Sequence, residues 1–371
     1  MASVEVVPVG TGRELDRFIR LPFRIYRDDP VWVAPLPSDE RVRLTPGKNP
    51  YFEHAEAAYF LAREGGRDVG RISASVDQIH DRIHHERQAT FGFFEAESAE
   101  ATRALLDAAE AWARSKGAEI VRGPMSFNTN DEIGLLIEGF EHHPSILMTY
   151  NKREYAGWIE SAGYTKAKDL LSHHLVLPRE TPEAYRRVAE KVRRRYNVTI
   201  RSMDMKRFDE ELERVKEVYN SAWLENWGFV PMTDREIDHM AKQLKPAVNP
   251  NLVIFAEVGS QTVAFALAMP DVNIALKPIR GRLFPFGILR LLWTLPRIHH
   301  ARLMAIGIRK EYRRRGIDAL LMEALVLAGN KHGIRSGELS WTLEDNYLIL
   351  RNIEQMGGVR QKVYRIYERR L

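Results

Sequence analysis

A repeat constrains the fold of this chain more than any other feature. The stretch "ALLDAAEAWARSKG", starting at Ala104, is matched by "ALLMEALVLAGNKHG", starting at Ala319. A second pair follows in the same order, "WIESAGYTKAK" from Trp158 and "NIEQMGGVRQK" from Asn352. The first pair is offset by 215 positions (Ala104 to Ala319) and the second by 194 (Ile159 to Ile353). The difference falls in Gly123–Lys152, a segment that is longer in the first half. A 371-residue chain with two such matches is expected to be a tandem duplication of one α/β unit.

The periodicities agree with that division. In the first half "VEVVPV" reads as a strand and "GRELDRFIRLPFRIY" as a helix. Strands "AAYFLARE", "RDVGRISASV" and "ATFGFFEAE" follow, then a helix from Ser98 to Gly117 and the strand "EIVRGPM". The second half repeats the order. "NVTIRSMDM" is a strand and "RFDEELERVKEVYNSAWLEN" a helix. "NLVIFAEV" and "QTVAFALAM" make a hairpin around Gly259-Ser260, and strand "RLMAIGI" leads to helix "IDALLMEALVLAGNKHG". Strand "GELSWTL", helix "NYLILRNIEQMG" and strand "QKVYRIYER" complete it. The expected fold class is α/β with mixed sheets, divided as residues 1–178, a basic helical connector 179–197, and residues 198–371.

Cysteine is absent, which excludes disulfides, thiolate zinc sites and cysteine nucleophiles. The opening "MASVEVVPVGTG" has no basic stretch followed by an apolar one, and no run approaches a membrane span, so a cytoplasmic protein is expected. A net charge of +5 is too mild to argue for nucleic acid as a partner. His80 and His84 have the spacing of a shared helix face, but no third ligand stands near them in sequence, and no metal is expected.

The sharpest local signal is "IRKEYRRRGIDALLMEAL" (Ile308–Leu325). A helix start has unpaired amides and a partial positive charge, and it favours phosphate where a small residue lets the ligand approach. Here a strand feeds three arginines and Gly316 into such a start. Arg313-Arg314-Arg315-Gly316-Ile317-Asp318 resembles the acyl-CoA pyrophosphate loop of the GCN5-related N-acetyltransferase (GNAT) superfamily, with Asp318 where a small residue is usual. The resemblance implies that the amides through Ala319 bind pyrophosphate, that Ile306-Gly307-Ile308 pair with the pantetheine arm, and that Asn346 contacts the cofactor. Acetyl-CoA or a longer acyl-CoA is then the co-substrate. At the matching place the first half has "FFEAESAEATRALL", with carboxylates and no arginine before its helix, so its copy is expected to be degenerate.

Amine acylation needs a base, a polarised carbonyl and a proton for the leaving thiolate. Glu344 and Asp271, at strand ends, are base candidates, and Asp131 and Glu132 are placed to reach across from the first half. The tyrosine that many relatives use as acid falls at Ile353, so Tyr347, Tyr364 or solvent must replace it. "NSAWLENWGFVPMTDRE" supplies acceptor-lining candidates Trp223, Asn226, Trp227 and Phe229, with Glu132 from the first half. "ALKPIRGRLFPFGILRLLWTLPRIHH" (Ala275–His300) is longer than a hairpin requires. It reads as a lid, an acyl-chain channel, or an interfacial segment with Arg280, Arg282, Arg290 and Arg297 at headgroup level, a peripheral membrane contact through 280–298.

Over nearly its whole length the chain also resembles a two-domain bacterial subgroup of that superfamily that includes bacterial ceramide synthases. The segments that carry this are "GPMSFNTNDEIGLLIEGF", "NWGFVPMT" and "MPDVN". The resemblance implies tandem domains and transfer of an acyl group to an amine, with a lipid amine at the inner membrane face as acceptor. Small-amine acetylation, tRNA-dependent aminoacyl transfer and non-catalytic acyl-CoA binding stay open as alternatives.

Overall fold

In the computed structural model, which describes residues 3–371, the repeated halves close one another's sheet. The first half runs β1 (Glu5–Pro8), α1 (Arg13–Ile25), α2 (Pro37–Arg43), β2 (Ala55–Glu64), β3 (Arg67–Asp77), α3 (Gln78–His84), β4 (Gln88–Ala96), α4 (Ala99–Ser115), β5 (Ile120–Gly123), β6 (Leu135–Glu138), α5 (Glu154–Ser161) and β7 (Thr165–Val176). The connector is α6 (Glu183–Tyr196). The second half runs β8 (Val198–Ser202), α7 (Phe208–Trp223), α8 (Asp234–Leu244), β9 (Val253–Val258), β10 (Gln261–Pro270), α9 (Asn273–Leu276), α10 (Gly287–Thr294), β11 (His300–Ile308), α11 (Ile317–Lys331), β12 (Ser336–Leu343), α12 (Tyr347–Gln355) and β13 (Val359–Arg370).

All strands join one sheet in the order β1-β2-β3-β4-β5-β13-β7-β12-β11-β10-β9-β8, with β6 on β13 off that path. The last strand of each half lies beside the other half. β13 is antiparallel to β5, with Tyr367 opposite Gly123, and β7 is antiparallel to β12, with Leu175 opposite Gly337. The two exchanged strands pair with each other at the centre, Tyr364 opposite Leu170.

A buried polar network locks this exchange. Lys362 Nζ on β13 donates to Glu338 Oε2 on β12 at 2.8 Å and to the His143 carbonyl at 2.9 Å. The Ser145 and Ser172 hydroxyls donate to the same carboxylate at 2.7 and 2.9 Å. Burial pushes the Glu338 pKa up, but the charge and hydrogen bond of Lys362 outweigh it and hold it down at about 2.

Helical spacing places the cores as the sequence implies. In α4, Leu105, Leu106, Ala109 and Ala113 bury against Phe91, Val121 and Tyr155. In α11, Ile317, Leu320, Leu321 and Leu325 bury against Ala256, Val263 and Ala266. The helices α4 and α11 end in Gly117 and Gly333, both with positive φ, which a residue without Cβ adopts freely.

The strand pairs β4–β5 and β11–β12 run parallel and soon part, after Thr90 and after Leu303 respectively. A bulge marks each parting. On β4 the register jumps between Arg71↔Glu95 and Ser73↔Gly92. On β11 it jumps between Leu267↔Ala305 and Ala268↔Leu303, leaving Met304 unpaired. Bulges bend a strand and re-aim its edge, and here they open one wedge in each half.

Candidate functional site

The second-half wedge begins at Met304. Beyond it Ile306, Gly307 and Ile308 pair with β10 on one side only, because β12 has turned away on the other. The strand then enters the arginine loop. Arg309 is fixed by the Thr262 carbonyl at 2.8 Å, and Arg313 by Glu225 at 2.9 Å and the Ala222 carbonyl at 2.7 Å. Arg314 and Arg315 are exposed and form no ion pair among the described residues; the Arg315 guanidinium lies over the rings of Tyr312 and Tyr196, 4.9 and 5.3 Å from their centres.

Gly316, at φ 80°, is the N-cap of α11, and no side chain caps the helix there. The Ile317 and Asp318 amides stay open to an anion, while the Ala319 amide donates to the Gly316 carbonyl at 3.1 Å. A Cβ on Gly316 would lie 2.7 Å from Val188 and 3.1 Å from Val192, so the connector α6 also demands glycine. Asp318 turns aside and accepts from Asn352 Nδ2 of α12 at 3.2 Å. Asn346 caps α12, its side chain accepting from the Ile349 amide.

The first-half copy is built differently at the same place. Ser98 caps α4 through its own hydroxyl at 3.1 Å from the Ala101 amide, and Glu97, just before it, pairs with Arg24 and Arg67. The Ala101 amide is taken by the Ser98 hydroxyl, and the residue just before the cap is a carboxylate, which disfavours phosphate there.

The first-half wedge instead contributes to a cleft of about 430 Å³ between the halves. One wall is acidic: Glu40, Asp131 and Glu132 surround Arg43, which donates to Asp131 at 2.8 Å and Glu132 at 3.0 Å. Burial raises the Asp131 pKa, against the pull of Arg43 and with the push of Glu132, to about 6. Deeper in, Glu95 accepts from Tyr26 at 2.7 Å and Tyr155 at 2.9 Å, and burial pushes its pKa up. The opposite wall is apolar, with Ile146, Leu147, Leu244, Ala247, Val272 and Leu276 lining the cleft. These residues form one hydrophobic cluster with Met304 of β11, which packs behind the cleft wall.

The structure divides the other candidate residues. Glu132 lines the cleft, whereas Trp223, Asn226, Trp227 and Phe229 do not. Trp223 packs beside Gly307, Phe229 is buried at the joint between halves with its carbonyl 2.9 Å from His84 Nε2, and Trp227 lies against Arg122 and Lys168. Glu344 is held by Lys166 at 2.6 Å and by the Asp169 amide at 3.0 Å, as a strand-end joint. Tyr347 is exposed at the start of α12, and Tyr364 is fully buried with its pKa pushed well up.

Asp271 lies under the cleft floor. Its Oδ1 accepts from the Ile146 and Asn273 amides at 2.9 and 3.2 Å, and its Oδ2 is 2.8 Å from His143 Nε2. Burial moves both away from charge, Asp271 up to about 7 and His143 down to about 4, and Asp271 Oδ2 has no hydrogen-bond partner among the described residues. His80 and His84 do share a helix face on α3, rings 4.6 Å apart, and among the described residues no group of three or more ligands is placed to hold a metal. Arg43, Arg71 and Glu95 also line the cleft, and no motif singles them out in the sequence. An arginine and a glutamate facing inward on otherwise apolar strands β3 and β4 were the available signal.

The superposition of two such units on one sheet is the architecture of tandem GNAT proteins. A tandem GNAT protein from the clavulanic acid biosynthesis pathway matches with a TM-score of 0.57 at 13% identity, covering 99% of this chain and 98% of that one. The GCN5-related glucosamine N-acetyltransferase region of a fungal multi-domain β-N-acetylglucosaminidase matches with a TM-score of 0.58 at 12% identity, where this chain covers 38% of the larger protein. No protein-family model matches the chain. Closer relatives exist in sequence. A bacterial ceramide synthase of Caulobacter vibrioides is 38% identical over 380 aligned positions, covering all of this chain and 98% of the relative. Protein YghO of Escherichia coli K12 is 38% identical over 366, covering 96% and 93%. The chain belongs to the two-domain bacterial GNAT subgroup that includes bacterial ceramide synthases.

Proposed function

We propose that the protein is an acyl-CoA-dependent N-acyltransferase that joins a long acyl chain to the amine of a lipid. The observation that carries this reading is the pairing of an uncapped helix start behind an arginine–glycine loop with a two-sided cleft whose apolar wall packs in one cluster with Met304 of β11. In this reading the pyrophosphate rests on the amides of Gly316, Ile317 and Asp318 with Arg314 and Arg315 beside it. The pantetheine pairs with the free edge of Ile306–Ile308, which brings the thioester to Met304. The acceptor's chain lies along the apolar wall and its ammonium beside Asp131 and Glu132.

The chemistry follows from that placement. A carboxylate of the Asp131–Glu132 pair takes a proton from the ammonium, and the neutral amine attacks the thioester carbonyl. The C–N bond forms, the C–S bond breaks, the attacking nitrogen gives up its second proton to solvent, and the CoA thiolate takes a proton from solvent or from exposed Tyr347, which solvent then reprotonates. Asp271 acts by position, holding the Ile146 and Asn273 backbone that forms the cleft floor. The name of the Caulobacter relative supports a lipid amine as acceptor. An acyl-CoA donor assigns the reaction to the cytoplasm, with the lipid drawn from the inner face of the membrane.

Calorimetric titration with acetyl-CoA and palmitoyl-CoA, on the wild type and on Arg315→Glu with Gly316→Glu, tests the reading. Palmitoyl-CoA binding that the double change abolishes supports it. A preference for acetyl-CoA moves the acceptor to small amines, and binding of neither donor sinks it.

A further inference from the structure

Residues 280–298, in the segment between β10 and β11, are not used by this reading of the site. The segment's short helix α10 leaves Leu291 half-buried, and Leu295, just beyond it, joins the apolar cluster of the cleft wall. Its other face has no protein cover. Phe284 is 77% exposed, Phe286 75%, Leu289 63%, Leu292 61% and Trp293 63%. Contiguous large side chains at that exposure are abnormal on a water-facing surface.

The charge around them has one sign. From Val272 to Ile298 the chain carries Lys277, Arg280, Arg282, Arg290 and Arg297 and no carboxylate. Arg280, Arg282 and Arg290 are exposed and form no ion pair among the described residues; Arg297 stacks over Trp293, 4.2 Å from its ring centre. Elsewhere on this protein surface arginines are commonly paired, as Arg17, Arg43, Arg122 and Arg201 are. No helix among the described residues is long and apolar enough to cross a membrane, so this segment does not span one.

We infer that residues 280–298 dock the protein on an anionic phospholipid bilayer, with Phe284, Phe286, Leu289, Leu292 and Trp293 in the acyl boundary and the arginines among the headgroups. Charge complementarity selects this occupant: a neutral apolar partner would leave the unpaired arginines at its rim uncompensated. The position serves the same purpose. A Cβ on Gly281 would meet Phe23 at 2.6 Å and the Pro35 carbonyl at 2.8 Å, and Pro35 lines the cleft, so the segment sits on the cleft's rim. A lipid acceptor would pass from bilayer to cleft without crossing water. The inference stands on exposure and charge and does not rest on the acyl-transfer reading.

Co-sedimentation of the full chain with extruded vesicles tests it. Vesicles of phosphatidylglycerol and phosphatidylcholine should carry the protein down, and pure phosphatidylcholine should do so at least roughly tenfold less. Phe286→Ser with Trp293→Ser should lower binding to the anionic vesicles by roughly tenfold or more, and Arg280→Glu with Arg282→Glu and Arg290→Glu should do the same. Unchanged circular dichroism and melting of both variants separate lost docking from lost folding. Wild type that stays in the supernatant with both vesicles, or binds both equally, overturns the inference. So does a wild-type dimer in sedimentation velocity that Phe286→Ser with Trp293→Ser converts to monomer, since the patch would then be covered by a second copy.

Discussion

Lys362 and Glu338 show how single residues hold this molecule together. Both are almost wholly buried, and each is the other's compensation. Lys362→Met is expected to cost about 3–5 kcal/mol in chemical denaturation, because it strands the Glu338 charge, while Glu338→Leu with Lys362→Met should recover most of that loss. Gly316 is a second such position. Gly316→Ala forces a Cβ into a left-handed conformation against Val188, which costs about 1 kcal/mol or more and should weaken acyl-CoA binding by calorimetry with little change elsewhere. In the cleft, the Asp131 pKa of about 6 gives a signed expectation. Its negative charge appears as pH rises through 6, so KM for a cationic amine should fall from pH 5 to pH 7, and Asp131→Asn should flatten that fall. A pH-independent KM in the wild type would place the amine elsewhere.

At the scale of elements, α8 is the part of the cleft with a switchable tether. It carries Met240 and Leu244 of the cleft lining, and a capping box of Thr233 and Glu236 sets its start. Glu236 Oε2 is also 3.3 Å from His54 Nε2, while His54 Nδ1 is 3.0 Å from Asp77 Oδ1, the N-cap of α3. Burial opposes charge on His54, but the two carboxylates outweigh it and raise its pKa to about 9. A raised histidine stabilises fully below its unfolded value of about 6.5 and loses that contribution as pH rises through about 9. Thermal melts should therefore show about 2–3 kcal/mol less stability at pH 10 than at pH 6 from this group, and His54→Gln should be less stable at pH 6 and lack that part of the decline. The helix α8 itself was not apparent in the sequence, because its residues Asp234–Leu244 bury only Glu236 and Ile237 fully, too few for a clear apolar stripe. The helices α4 and α11, with long buried faces and glycine stops, were apparent.

At the scale of the whole molecule, the exchanged strands decide what can fold. A fragment of residues 1–178 would leave β5 and β7 without the strand between them, and residues 198–371 would leave β12 and β13 likewise. Exposed strand edges of that length aggregate. We expect neither fragment alone to melt cooperatively, and the two co-expressed to associate into one species by size-exclusion chromatography. Two fragments that each fold and melt separately would show that the halves are independent domains.

The sequence by itself determined the repeat, most strands and major helices, and the arginine–glycine loop, since periodicity, caps and turn residues act over a few neighbouring positions. It also marked the first-half copy as unfit for phosphate, because the carboxylates before its helix and the missing arginine are local features. Only the tertiary structure decided that β7 and β13 change places and that the cleft is made by Arg43, Glu95, Asp131 and Leu244. Backbone edges of equally apolar strands are chemically alike, so which ones pair is set by burial summed over the whole sheet. Residues that meet only through such pairing leave no spacing for the sequence to display.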